Sequence, residues 1–263
     1  MTYHRYRRGW VREYTPRDLR HLAVRKSHLP RFDPGPLANF SLPAQVISVA
    51  SAPERRAHVR RALEQAGMEY AIVDAVDGDG PLPAEEVAAF VSGTRLAKYR
   101  RRTPNARYKV ACDLSHLRAM QRMVGEGRAL QLVLEDDFAI PPDLAGRGAL
   151  AAALHAALAD APADLDVLYL SLCLLVKSDW VGSRTRLYER GFCTLGMVYT
   201  RAAALAVVHA ARVGSRNIDN LMYDMYLTGA LQAYLADPPL VLPMDPAVMP
   251  SLIDRTPGKK DDF

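Results

Sequence analysis

The chain has 263 residues, 49% of them hydrophobic and 24% charged, a balance that suits a folded globular protein with a sizeable core. No apolar run approaches the ~18 residues of a membrane-crossing helix, and the opening Met-Thr-Tyr-His-Arg-Tyr-Arg-Arg is not followed by the apolar stretch of a secretory signal. The net charge of +5 is uneven: up to Arg31 there are nine Arg or Lys against two Asp or Glu, and the remainder holds 25 against 27.

The first segment is therefore a basic arm carrying Tyr3, Tyr6, Trp10 and Tyr14, running to about Leu42 through a Pro/Gly-rich linker, Pro30 to Pro43. Such an arm either wraps on its own domain or a second copy, or touches anionic headgroups or a phosphorylated acceptor. Nucleic acid is not an expected partner, because no recognised module accompanies the charge and the body is near neutral. The three cysteines, Cys112, Cys173 and Cys193, follow no zinc or redox spacing and read as structural thiols of a reducing cytoplasm.

From residue 43 to about 255 strands and helices alternate. Gln45 to Ala50 reads as a buried strand, Pro53 to Ala66 as an amphipathic helix stopped by Gly67, and Tyr70 to Ala75 as a second strand: one strand–helix–strand unit of a parallel sheet. A helix over Leu82 to Val91 follows. Arg95 to Lys109, with seven Arg or Lys and Pro104, reads as a solvated loop or as a lid over an anionic ligand. Asp113 is the expected N-cap of a helix from Leu114 to Gly125, which leads into an apolar strand, Gln131 to Leu134. Beyond it lie a helix (Ala149 to Ala161), strands (Asp166 to Leu175 and Thr194 to Thr200) and helices (Ala202 to Ala211 and Asp219 to Gly229). Ala233 to Leu242 closes the pattern as a short edge segment, and 256–263 is a frayed tail. The expected fold is α/β, one domain with a mostly parallel central sheet flanked by helices, plus the basic arm.

The strand Gln131 to Leu134 ends in three consecutive carboxylates, Glu135, Asp136 and Asp137, at the edge where open α/β sheets place their ligands. Three adjacent anions repel one another unless a cation answers them, and a hard divalent ion shared with a substrate diphosphate does so. In an extended chain Glu135 and Asp137 share one side and Asp136 takes the other. There is no GxGxxG after the first strand and no Walker loop, so a nucleotide would be held through metal and side chains. A strand-end aspartyl phosphatase is disfavoured, since Glu135 ends the strand and Phe138-Ala139 follows the triplet.

Several segments, in order, resemble glycosyltransferase family 25, the lipooligosaccharide galactosyltransferase and collagen glycosyltransferase-like group. They are Val46-Ile-Ser-Val-Ala-Ser-Ala-Pro-Glu-Arg-Arg56, Asp74-Ala-Val-Asp-Gly78, Ala111-Cys-Asp-Leu-Ser-His116, Leu132-Val-Leu-Glu-Asp-Asp137, Gly196 to Arg201, Ile218-Asp219 and Pro238-Pro-Leu-Val241. The resemblance implies a GT-A fold, a UDP-sugar donor, Mn2+ or Mg2+, and inverting transfer of a sugar, galactose or glucose favoured, to a hydroxyl of a glycan or other hydroxylated acceptor. Lipopolysaccharide biosynthesis at the cytoplasmic face of a membrane is the implied setting. The chain departs from the family pattern at Lys109 and Ala111, where an acidic residue and a glycine are usual, and at Ala50-Ser51-Ala52; a catalytically inactive binding relative is the alternative.

On this reading Glu135 and Asp137 hold the metal, and Asp136 joins Glu135 on the donor side. Arg55 or Arg56 pairs with a phosphate or the base edge, and Asp74 and Asp77 contact ribose or uracil. Ser115 and His116 complete the donor site; a seryl nucleophile is disfavoured because no G-x-S-x-G elbow accompanies Ser115. Inversion needs a separate carboxylate beside the acceptor hydroxyl as general base, with Asp219 the first choice and Asp224 the second.

Overall fold

The computed structural model describes residues 42–91, 106–171, 174–192, 194–213 and 217–252. The basic arm, positions 95–105 of the basic stretch, Cys173, Cys193 and the tail 256–263 lie outside the described residues.

Strand β1 (Ala44–Ser48), helix α1 (Pro53–Ala66) and strand β2 (Tyr70–Asp74) form the expected parallel unit. Proline starts α1, where its missing N–H costs nothing, and Gly67 ends it in the left-handed conformation at φ 67°. There follow α2 (Ala84–Phe90), α3 (Ala106–Gly125), β3 (Leu130–Glu135), β4 (Phe138–Ala139), α4 (Ala149–Asp160), β5 (Val167–Tyr169), β6 (Leu174–Trp180) and β7 (Thr185–Phe192). The last described elements are β8 (Gly196–Thr200), α5 (Arg201–Val213), α6 (Ile218–Leu227), β9 (Ala233–Ala236) and β10 (Leu242–Pro243).

Eight strands form one sheet in the order β2-β1-β3-β8-β5-β9-β7-β6. Only β7 and β8 oppose the common direction, so the sheet is mostly parallel. Strands β1, β3, β5, β8 and β9 are buried along nearly their whole length, as a sheet covered on both sides requires. Ile47, Val133, Met197 and Tyr199 face one core, shared with α3, α5 and α6. Their neighbours Val46, Leu132, Leu134 and Val198 face the other, filled by α1 and α4. The period of two along each strand thus sorts the side chains into two cores, and the result is a helix–sheet–helix sandwich.

Four expectations need correction. Helix α3 begins at Ala106, not Leu114, so Asp113 is not its N-cap; it lies mid-helix and its carboxylate accepts the Ile218 N–H at 2.8 Å, capping α6 from outside. The run Asp166 to Leu175 is not one strand: β5 stops at Tyr169, and Leu174 opens a hairpin, β6–β7, that extends the sheet at its edge. The sequence of that hairpin includes Lys177, Asp179, Arg186 and Glu189, and an edge ribbon tolerates charge that a buried strand does not. Finally, β9 is no edge: it is buried between β5 and β7, and ends at Ala236 just before a cis Asp237–Pro238 bond.

Candidate active site

Parallel registers bring the important strand ends together. Ser48 pairs with Asp74 across β1–β2, and Ile47 with Glu135 across β1–β3, so these ends open side by side into one cleft. Helix α3 forms a second wall with Tyr108, Cys112 and His116, and Ser251 and Leu252 come in from the chain's last described turn. The gathering of side chains at the carboxyl ends of parallel strands is what this sheet class provides.

The acidic triplet divides differently from simple alternation, because β3 ends at Glu135 and the chain turns at once. Asp136 is buried, accepting the Ser48 hydroxyl at 2.6 Å and the Arg55 guanidinium at 2.5 Å. Asp137 lies 3.5 Å from the same guanidinium, so Asp136 and Asp137 share one arginine. Arg55 itself is buried on α1, and its other terminal nitrogen donates to the Pro250 carbonyl at 2.6 Å. The structure therefore gives Arg55 internal partners: it clamps the acidic turn to the C-terminal segment.

Glu135 accepts the Thr194 hydroxyl at 2.5 Å and meets His116 Nε2 at 3.1 Å. Burial opposes its charge, but these bonds and the facing His116 outweigh it, and the carboxyl sits below its ordinary value. Asp137 goes the other way. Burial first, and Glu135 next, push its carboxyl up to about 6 despite Arg55. Burial and the neighbouring Glu135 both oppose the Asp137 anion, a cost that a cation held beside these carboxylate oxygens would relieve.

The remaining candidates separate into local clamps and cleft walls. Arg56 donates to Asp74 at 2.6 Å and to the Ser48 carbonyl at 2.9 Å, tying the α1 turn to the end of β2. Asp77 accepts the Ser51 hydroxyl at 2.6 Å and the Asp79 N–H at 2.8 Å, an Asx turn that shapes the loop after β2. Ser115 is buried and used by backbone: it accepts the Val76 N–H at 2.9 Å and donates to the Ala111 carbonyl at 2.6 Å. Gly78 leaves room for an aromatic neighbour, since a Cβ there would lie 2.1 Å from Tyr108 Cδ1.

Asp219, in the first turn of α6, is not among the residues that line the cleft, but it lies near enough to feel its charges. Burial, then Glu135 and Asp113, push its carboxyl up to about 7, while His116 and Lys109 pull it down. Asp224 stands ~140° further round the helix, and its backbone carbonyl accepts the Thr228 hydroxyl at 2.9 Å.

Sequence reasoning missed Ser48, Tyr108, Cys112 and Thr194. Cys112 had a signal: it precedes His116 by four residues, and once α3 is known to run through both, they share one helical face. A thiol, an imidazole nitrogen and a Glu135 oxygen come within 4.8 Å of one another there.

Residues 42–154 match one known sequence family. It is glycosyltransferase family 25, described as an LPS biosynthesis protein. The family 25 stretch contains β1 through the start of α4, hence the acidic turn, His116 and both arginines; Thr194 and Asp219 lie beyond it. No curated protein sequence matches the chain. No described helix is long and apolar enough to cross a membrane.

Proposed function

We propose that the protein is a metal-dependent, inverting glycosyltransferase that moves a hexose, galactose or glucose, from a UDP-sugar to a hydroxyl of a glycan or other hydroxylated acceptor in lipopolysaccharide assembly. The observation that carries this reading is the acidic strand end, Glu135 to Asp137, opening into the cleft within the family 25 stretch and in electrostatic reach of a separate carboxylate, Asp219.

Transfer forms a bond between the acceptor oxygen and the sugar's anomeric carbon as the bond to the diphosphate breaks. The leaving diphosphate takes the electron pair, and the acceptor proton goes to a base. A divalent ion, Mn2+ or Mg2+, held by Asp137 and Glu135 would offset the charge growing on the leaving group. His116 and Thr194 hold Glu135 oriented. Arg55 keeps Asp136 and Asp137 close despite their repulsion. Asp219 receives the acceptor proton; a carboxyl raised to about 7 is matched to that task near neutral pH. The side of the cleft lined by Asp77 and Tyr108, with Asp74 next to it at the end of β2, is assigned to the nucleoside. The basic arm, residues 1–42, is assigned to acceptor or membrane-surface contact at the cytoplasmic face, outside a catalytic domain of residues 43–255.

Incubation with a panel of UDP-, GDP- and CMP-sugars, Mn2+ and hydroxylated acceptors, read as nucleotide release, tests this. Release from one UDP-hexose supports it. Donor binding with neither hydrolysis nor transfer would favour the inactive binding relative.

A further inference from the structure

We propose that Cys112, His116 and Glu135 form a second metal site, for a thiophilic divalent cation of the zinc class, in the wall of the cleft. Cys112 and His116 lie one turn apart on α3, and Glu135 faces them from the end of β3. One donor atom from each lies within 4.8 Å of the others, and His116 Nε2 is 3.1 Å from Glu135. Tetrahedral zinc bonds of about 2.0–2.3 Å separate sulfur and nitrogen by about 3.5 Å, so closing the site asks for about 1 Å of side-chain movement. Three protein ligands of thiolate, imidazole and carboxylate type, with a fourth position open to the cleft, make a familiar zinc donor set.

The His116 ring is 1% exposed and held in the wall of the cleft, with Nε2, the nitrogen turned to Glu135, as the atom offered to the cation. Thr194, donating to Glu135 at 2.5 Å, orients the carboxylate as an outer partner does in metal sites.

Binding forms a sulfur–metal bond, and the thiol proton leaves to solvent. The site shares Glu135 with the donor-metal position proposed above but does not include Asp137, and it does not rest on that reading. Cobalt(II) separates the two, because thiolate ligation gives it a near-ultraviolet sulfur-to-metal charge-transfer band.

Titrating the full-length protein with Co2+ should produce that band, saturating at one equivalent. Cys112→Ser should abolish it, and His116→Ala should weaken Co2+ binding by at least about tenfold, with circular dichroism confirming that both variants fold. Asp137→Asn should keep the band. Absence of a thiolate band in the unmodified protein, which needs no variant, overturns the proposal. A band that survives Cys112→Ser would place the ligand at Cys173 or Cys193, and one lost in Asp137→Asn would place the ion on the acidic turn; either result overturns it too.

Discussion

Arg55→Met separates two roles for this arginine. The side chains of Arg55 and Asp136 are 5% and 7% exposed and meet at 2.5 Å. Methionine fills much of the arginine stem's volume but carries no charge, so Asp136 keeps only the Ser48 hydroxyl. Removing one partner of a buried pair costs about 3–5 kcal/mol, because the other charge is left uncompensated. Against a total stability of about 5–15 kcal/mol that is a large fraction, visible as a lower urea midpoint with an unchanged slope. Adding Asp136→Asn should recover most of the loss, since the amide still accepts from Ser48 and no buried anion remains. If Arg55 instead serves mainly to bind a phosphate, Arg55→Met will unfold within about 1 kcal/mol of the parent and lose nucleotide affinity. That result would refute the clamp.

Asp219→Asn should cut transfer by roughly 10²- to 10⁴-fold, the contribution of a positioned base, with UDP affinity nearly intact; Asp224→Asn should cost far less. The same substitution should raise the melting temperature at pH 8. Asp219 is pushed from 3.8 to about 7, so between those values the native state keeps a proton that the unfolded chain has lost, and stability falls as pH rises through that window. Asparagine has no such charge to bury, and the wild-type transfer rate should decline as pH drops below about 7; a rate limb near 4 would contradict the base assignment. Gly78→Ala should cost about 1–3 kcal/mol by overpacking, because its Cβ meets the Tyr108 ring at 2.1 Å. It should also weaken UDP binding by displacing that ring from the cleft wall, and unchanged stability and affinity would show that the ring moves freely.

The sandwich was legible where local and global signals agree. Pro53 and Gly67 bracket α1, and the apolar run of β3 ends at Glu135. The hairpin β6–β7 was hidden because its charged residues suit an edge as well as a loop, and Asp113 deceived because a capping residue can serve a helix distant in sequence. The acidic triplet lines the cleft, but its division did not follow from alternation. That depended on a turn starting at Glu135 and on Arg55, 81 positions from Asp136, reaching across α1. The backbone bonds of Ser115 and Arg56 had no signal in the sequence, where hydroxyls and guanidinia that serve backbone look the same as those that meet ligands. Cys112 required the true start of α3 before it shared a face with His116.

Calorimetric titration of UDP into the full-length protein and into Asp137→Ala, each with and without Mn2+, tests whether the acidic turn holds the donor through a divalent ion. Burial, and then the neighbouring Glu135, raise Asp137 to about 6, and a divalent ion shared with a diphosphate would favour its charged form. We expect UDP binding by the unmodified protein only with the ion present, and none by Asp137→Ala in either condition. Equal UDP affinity with and without Mn2+, or full ion-dependent binding by Asp137→Ala, would contradict a donor site built on the acidic turn.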